Sequence, residues 1–141
     1  MVTTLDNRNG LSKRKFKYEE EEGISITNGR EVSTTVASEI GLEIMEAFSF
    51  GLSFSTTWKT FQHTTYSRKT SITLETDVPP RKILYVKQLK GEYGHYLVQA
   101  KHFKFVEVNL QANTQRVIFA RGMDEYNRGE FLPNPDGFGG E

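Results

Sequence analysis

Cysteine is absent from the 141 residues. That excludes disulfides, thiol nucleophiles and thiolate metal sites together. Histidine is nearly as scarce, with His63, His95 and His102 the whole supply. No two of them have metal-ligand spacing with an acidic partner, and no HExxH pattern occurs. The many serines sit in no GxSxG elbow, and there is neither a GxGxxG loop nor a P-loop. Acidic pairs such as Glu39 and Glu43 lack any cleft context and read as a solvated face. The expectation is a protein that is not an enzyme and that carries no cofactor and no metal.

An excess of charge of one sign is also missing. Eighteen Lys and Arg balance eighteen Asp and Glu, so no global field draws the chain to nucleic acid or to an anionic surface. Tyr93, Tyr96, Phe103 and Phe105 do lie among Lys87, Lys90, Lys101 and Lys104. Stacking platforms for single-stranded nucleic acid have that composition. So does an ordinary strand with one core face and one solvated face, which is the commoner case, and no nucleic-acid partner is expected. No apolar run approaches the roughly 20 residues of a membrane helix. The opening MVTTLDNRNGLSKRKFKYEEEE has no apolar segment of the signal-peptide kind. The expected location is therefore cytoplasmic for a soluble form, or secreted or membrane-associated by an unconventional route.

What the chain does have is alternation. Val32, Val36, Ile40, Leu42, Ile44, Phe48, Phe50, Leu52, Phe54 and Trp58 all fall at even positions. The odd positions between them are small or polar, among them Ala37, Glu39, Gly41, Glu43, Ser49 and Ser53. Period-2 patterning predicts strand with one apolar and one polar face. A three-residue loop at Met45, Glu46 and Ala47 preserves parity and pairs Ile44 with Phe48, Leu42 with Phe50 and Ile40 with Leu52. Each arm, 36–44 and 48–56, then matches the roughly 9–11 residues with which a tilted strand crosses a bilayer. Transmembrane β-barrels are built from such apolar-out, polar-in arms. Two rivals share the pattern. Alternating hairpins in soluble proteins usually bury the apolar face on a core. Val36, Ile40, Ile44 and Phe48 are also spaced by four, as on a helix, although Leu42 leaves that stripe and Gly41 would sit mid-helix.

Around this segment the reading is all-β. Residues 1–26 form a polar arm with a basic block, Lys13 to Lys17, beside an acidic block, Glu19 to Glu22. Residues 53–76 are rich in Ser and Thr, punctuated by aromatics, and read as extended chain pairing with strands at 83–89 and 96–108. Val78-Pro79-Pro80 ends that run. Further turns are expected at 91–94 and 113–114, a last strand at 116–120, and an irregular, Gly/Pro-rich tail over 121–141.

The order of an alternating hairpin, a Ser/Thr-rich stretch and then VPPRKILYVKQLKGEYGHYLV resembles the pore-forming module of the aerolysin-like family, which includes epsilon-toxin, mosquitocidal-toxin and natterin-like proteins. The resemblance covers roughly Thr27 to Val108, inside an assembly module of residues 27–120. It implies an elongated, twisted antiparallel sheet with a folded-back prestem hairpin, which oligomers unfold and join into one membrane barrel. On the matching positions, Val36, Ile40, Leu42, Ile44, Phe48, Phe50, Leu52 and Phe54 would face lipid. Met45, Glu46 and Ala47 would form the tip, and Glu39, Glu43, Ser49 and Ser53 would face the lumen. The implied partners are further copies of the chain and membrane lipid, with target recognition left to a second protein subunit. The competing expectations are a non-lytic assembly that uses the same long strands for an oligomer, fibre or partner complex, and a glycan- or lipid-binding module at Tyr93–Phe105.

Overall fold

A computed structural model describes residues 2–49 and 67–133. Its strands are β1 (Val2–Asp6), β2 (Arg14–Ile26), β3 (Thr70–Val78), β4 (Lys82–Tyr93), β5 (Tyr96–Asn109) and β6 (Thr114–Ala120). Two helices interrupt them, α1 (Thr34–Ser49) and α2 (Met123–Arg128). The strands hydrogen-bond in the order β1-β4-β5-β2-β3, with β6 also on β5, so the chain is all-β in class. The expected pairing of the Ser/Thr-rich run with the strands at 83–89 and 96–108 is corrected for its described part. β3 lies beside β2, because the Pro79–Arg81 turn carries the chain away to β4 without making a hairpin.

The first of two compact units holds residues 2–20, 73–88 and 102–133. β1 runs antiparallel to β4 with Leu5 opposite Leu84, and β5 runs antiparallel to β6 with Phe105 opposite Ile118. All four side chains are buried. On β5, Phe103, Lys104 and Phe105 are buried in succession, so the strand is covered on both faces. That removes Phe103 and Phe105 from any base-stacking surface. α2, within a tail expected to be irregular, is fixed at both ends. Asp124 and Glu125 occupy its first turn and Arg128 its last, complementing the helix dipole. Gly129, at φ 75, closes it with bonds from Gly129 N to Tyr126 O and from Glu130 N to Glu125 O, the Schellman pattern.

The second unit holds residues 21–49, 67–72 and 89–101. The end of β2 pairs antiparallel with β5, Ile24 opposite Val98, and both side chains are fully buried. The polar arm expected at residues 1–26 is therefore two strands. Its opposite charge blocks have partners distant in sequence: Lys15 Nζ lies 2.9 Å from Glu75, and Glu21 lies 3.0 Å from Lys69 Nζ. Along β2, Lys15, Lys17 and Glu19 are exposed while Phe16, Tyr18 and Glu20 are half-buried, which is strand alternation written in charged residues. Burial, followed by the charge of Glu20, pushes the Tyr18 hydroxyl above its ordinary pKa.

His102, on β5, carries a pH dependence. Burial first, and the nearby Arg121 second, lower its pKa from 6.5 to about 4. Between those values the unfolded chain binds a proton that the native chain refuses. Stability is therefore full above pH 6.5 and falls as the pH drops toward 4. Solvent reaches part of the ring, and after discounting for screening the loss is on the order of 1 kcal/mol. Melting temperatures measured across this window should fall less steeply for His102→Gln than for wild type. Equal slopes would show that another group sets the acid limb.

Candidate functional site

The segment expected to be the membrane hairpin begins as a helix. Ser33 caps α1, its Oγ accepting a hydrogen bond from Val36 N at 3.1 Å. Ala37, Ile40, Gly41, Ile44 and Ala47 form the buried stripe, spaced at i, i+3, i+4, i+7 and i+10. The strand expected over 36–44 is corrected accordingly, and so is the hairpin tip. Met45, Glu46 and Ala47 lie inside the helix, with Ala47 buried. The reason is that small odd-numbered residues count as a polar face in a period-2 reading, yet they complete a packing face at period 3.6.

The remaining residues singled out in this segment divide as follows. Ile40 and Ile44 are buried and Val36 is half-buried. Leu42 is 65% exposed and Met45 39%. Glu39 and Glu43 are exposed. Phe48 and Ser49 close the helix, and Phe50, Leu52, Ser53 and Phe54 lie outside the described residues.

α1 is a poorly supported helix by local criteria. It has no acid in its first turn and no base in its last. Glu46 stands near the end where negative charge is unfavourable. Gly41 costs about 1 kcal/mol relative to alanine in a helix interior. Val36, Ile40 and Ile44 are β-branched, which favours strand. Tertiary burial of one stripe, more than local propensity, keeps these residues helical.

A second cluster was not anticipated from sequence. Asn7 is buried beyond the end of β1 and organises three loops. Its Nδ2 donates to Val78 O at 2.8 Å and to Ser12 O at 3.0 Å. Its backbone N–H donates to Lys82 O, and its carbonyl accepts from Gly10 N and Arg81 N. Leu110 N donates in turn to Arg81 O at 3.0 Å. The loops 7–10, 79–81 and 110–113 are thereby held together around a cleft of about 450 Å³, lined by Arg8, Asn9, Arg81, Leu110 and Gln111. Arg8 is oriented by Asp6, donating from Nε at 2.8 Å and from Nη2 at 2.6 Å. That contact holds the Asp6 carboxyl below the usual carboxylate range. The only local signals were the turn-forming Asn-Arg-Asn-Gly of residues 7–10 and the Pro-Pro-Arg of 79–81. Neither indicates that the two turns meet.

A third cluster fastens α2. Tyr126 stacks on Phe105 at 4.2 Å between centroids, and its hydroxyl donates to Glu107. Burial, then that bond, pushes the phenol above its ordinary pKa. Asn127 Nδ2 donates to Glu75 O at 2.8 Å, and Arg116 lies 5.5 Å over the Phe131 ring. Of the histidines, His63 falls outside the described residues, and His95 sits in the β4–β5 turn against the Tyr96 ring. Among the described residues no group of three His, Asp or Glu could hold a metal ion, and no helix is long and apolar enough to cross a membrane.

Residues 1–108 match a family model described as "Domain of unknown function (DUF8504)". No curated protein and no solved structure matches the chain.

Proposed function

The chain belongs to that family, and we propose that it is a β-pore-forming protein in which helix α1 unfolds and the segment from Val36 to Phe54 enters a membrane as one hairpin of an oligomeric barrel. One observation carries the reading. Leu42 belongs to the apolar parity set of the strand pattern, yet in the helix it is 65% exposed. A hairpin would gather Leu42 with Ile40, Ile44 and Val36 on one face, where a helix separates them. The weak local support for α1 lowers the cost of the conversion. A closed barrel satisfies every backbone group in lipid and leaves no free edge. No enzymatic step and no cofactor belong to this mechanism.

A non-lytic assembly is the second reading. It draws on β3, nine residues long and last in the order of the described strands, as a template for strand addition.

Dye release from liposomes and planar-bilayer conductance separate the two, and Leu42→Arg sharpens the result. The side chain is already in water in the soluble fold, so the melting temperature should be unchanged. In the barrel the same cation would face lipid, at about 2–4 kcal/mol per strand near the midplane. Because every subunit pays that penalty, dye release and conductance should be lost. Wild-type protein that opens no membrane, or a Leu42→Arg variant that conducts like wild type, would remove the pore reading. Size-exclusion chromatography showing a stable non-lytic oligomer would then favour the second.

A further inference from the structure

We propose that the cleft between the loops at 7–10, 79–81 and 110–113 is an oxyanion site that takes a phosphate group, with the Arg81 guanidinium as its principal donor. The inference does not depend on pore formation and is tested without it.

The first support is backbone geometry. Arg81 sits at φ 64, in the left-handed region that disfavours side chains. A non-glycine residue there is strained by its Cβ. A turn of this shape has an easier occupant in glycine, so the arginine side chain is present at a cost, and such outliers point to function. The conformation is imposed from both sides, by Arg81 N donating to Asn7 O and by Arg81 O accepting from Leu110 N, each at 3.0 Å.

The second support is that this charge is unspent. Among the described residues Arg81 makes no ion pair. Its guanidinium reaches only a neutral acceptor, Arg8 O, with Nη1 at 3.4 Å, the outer limit of a hydrogen bond. A guanidinium is a planar fork matched to phosphate geometry.

The third support is the company it keeps. Arg8 spends Nε and one Nη2 bond on Asp6, which leaves its Nη1 hydrogens for a ligand. Among the described residues Asp6, paired with Arg8, is the one carboxylate bonded to either cation, and its charge also feels Arg14. Two guanidiniums against one carboxylate leave the cleft net positive. Asn9 and Gln111 bring side-chain amides to its wall. Leu110, 48% exposed, gives the wall an apolar patch. A phosphate ester with an organic substituent fits this lining better than a bare ion. Such a phosphate could come from a lipid headgroup or from a soluble ester, and the chemistry of recognition is shared.

The test titrates inorganic phosphate into ¹⁵N-labelled protein at constant ionic strength, with chloride as the control anion. Amide shifts should concentrate at Arg8, Asn9, Arg81 and Gln111 and saturate. Arg81→Gly is the informative variant, because it removes the guanidinium and also relieves the backbone strain. Its melting temperature should stay near that of wild type, while phosphate affinity falls roughly ten-fold for the loss of one charge-assisted fork. Cosedimentation with phosphatidic acid vesicles, set against phosphatidylcholine vesicles, identifies the source. Capture by the acidic vesicles that Arg81→Gly abolishes assigns the site to a lipid headgroup. Phosphate shifts without vesicle capture assign it to a soluble ester. Shifts that fail to saturate, that chloride reproduces, or that persist unchanged in Arg81→Gly overturn the proposal.

Discussion

Phe105→Ala is expected to destabilise the protein by about 3–5 kcal/mol, the range for truncating a fully buried phenylalanine. Phe105 has no exposed surface and sits opposite Ile118 across the β5–β6 ladder. Its ring also carries the stacked Tyr126, so the substitution does more than open a cavity on the sheet. Tyr126 holds α2 through that stack and through its hydroxyl bond to Glu107. Without the ring beneath it, the helix loses that stack and is held by the buried Met123 and by the Asn127 bonds to Glu75 O and Thr76. Urea denaturation should therefore show a lower midpoint together with earlier release of α2. Amide exchange at residues 123–128 reports that release. Tyr126→Phe separates the two contributions: it keeps the stack and loses the hydroxyl bond, a net cost of about 1 kcal/mol. If Phe105→Ala proved no worse than Tyr126→Phe, the ring would not be the anchor of this unit.

The β class was legible because several strands announce themselves locally. Ile83 to Leu89 and Arg116 to Ala120 are strand in the structure where the sequence pattern placed strand. β5 spans the expected 96–108 almost to the residue. The failure at 34–49 has a definite physical origin. Val36, Ile40 and Ile44 satisfy a period of two and a spacing of four at once, so the large side chains cannot arbitrate between strand and helix. The decision rests on Ala37, Gly41 and Ala47, whose small size lets a helix face pack closely and which look merely non-apolar in a strand pattern. The N-terminal strands are only faintly marked, by Phe16 and Tyr18 alternating with lysines, and for another reason. Lys15 and Glu21 look solvated until Glu75 and Lys69 arrive from distant sequence, and no local signal carries that information. The Arg81 cleft is non-local in the same sense. Its donors come from three turns brought together by the buried Asn7 and by the bond from Leu110 N to Arg81 O.

Gly23→Val should be among the most damaging single changes in the chain. Gly23 lies inside β2 and pairs with Gln99 of β5. Its φ of 113 is a conformation that side chains rarely adopt. The space is also closed. A Cβ at Gly23 would lie 2.4 Å from Arg68 O and 2.9 Å from Lys69 Cα. Those are backbone atoms, held in place because Ile24 N donates to Ser67 O at 2.7 Å and Lys69 N donates to Ile24 O at 3.2 Å. No rotamer change relieves the overlap, so either β2 or the 67–69 segment must move. Moving either breaks hydrogen bonds around Ile24, whose side chain is fully buried. Strain and lost bonds together give an expected destabilisation on the order of 3 kcal/mol, with Gly23→Ala somewhat milder. Chemical denaturation measures the cost, and amide exchange at Ile24 and Lys69 locates it. A Gly23→Val protein with wild-type stability and slow exchange at both amides would mean that the 67–69 segment does not press on β2 as described.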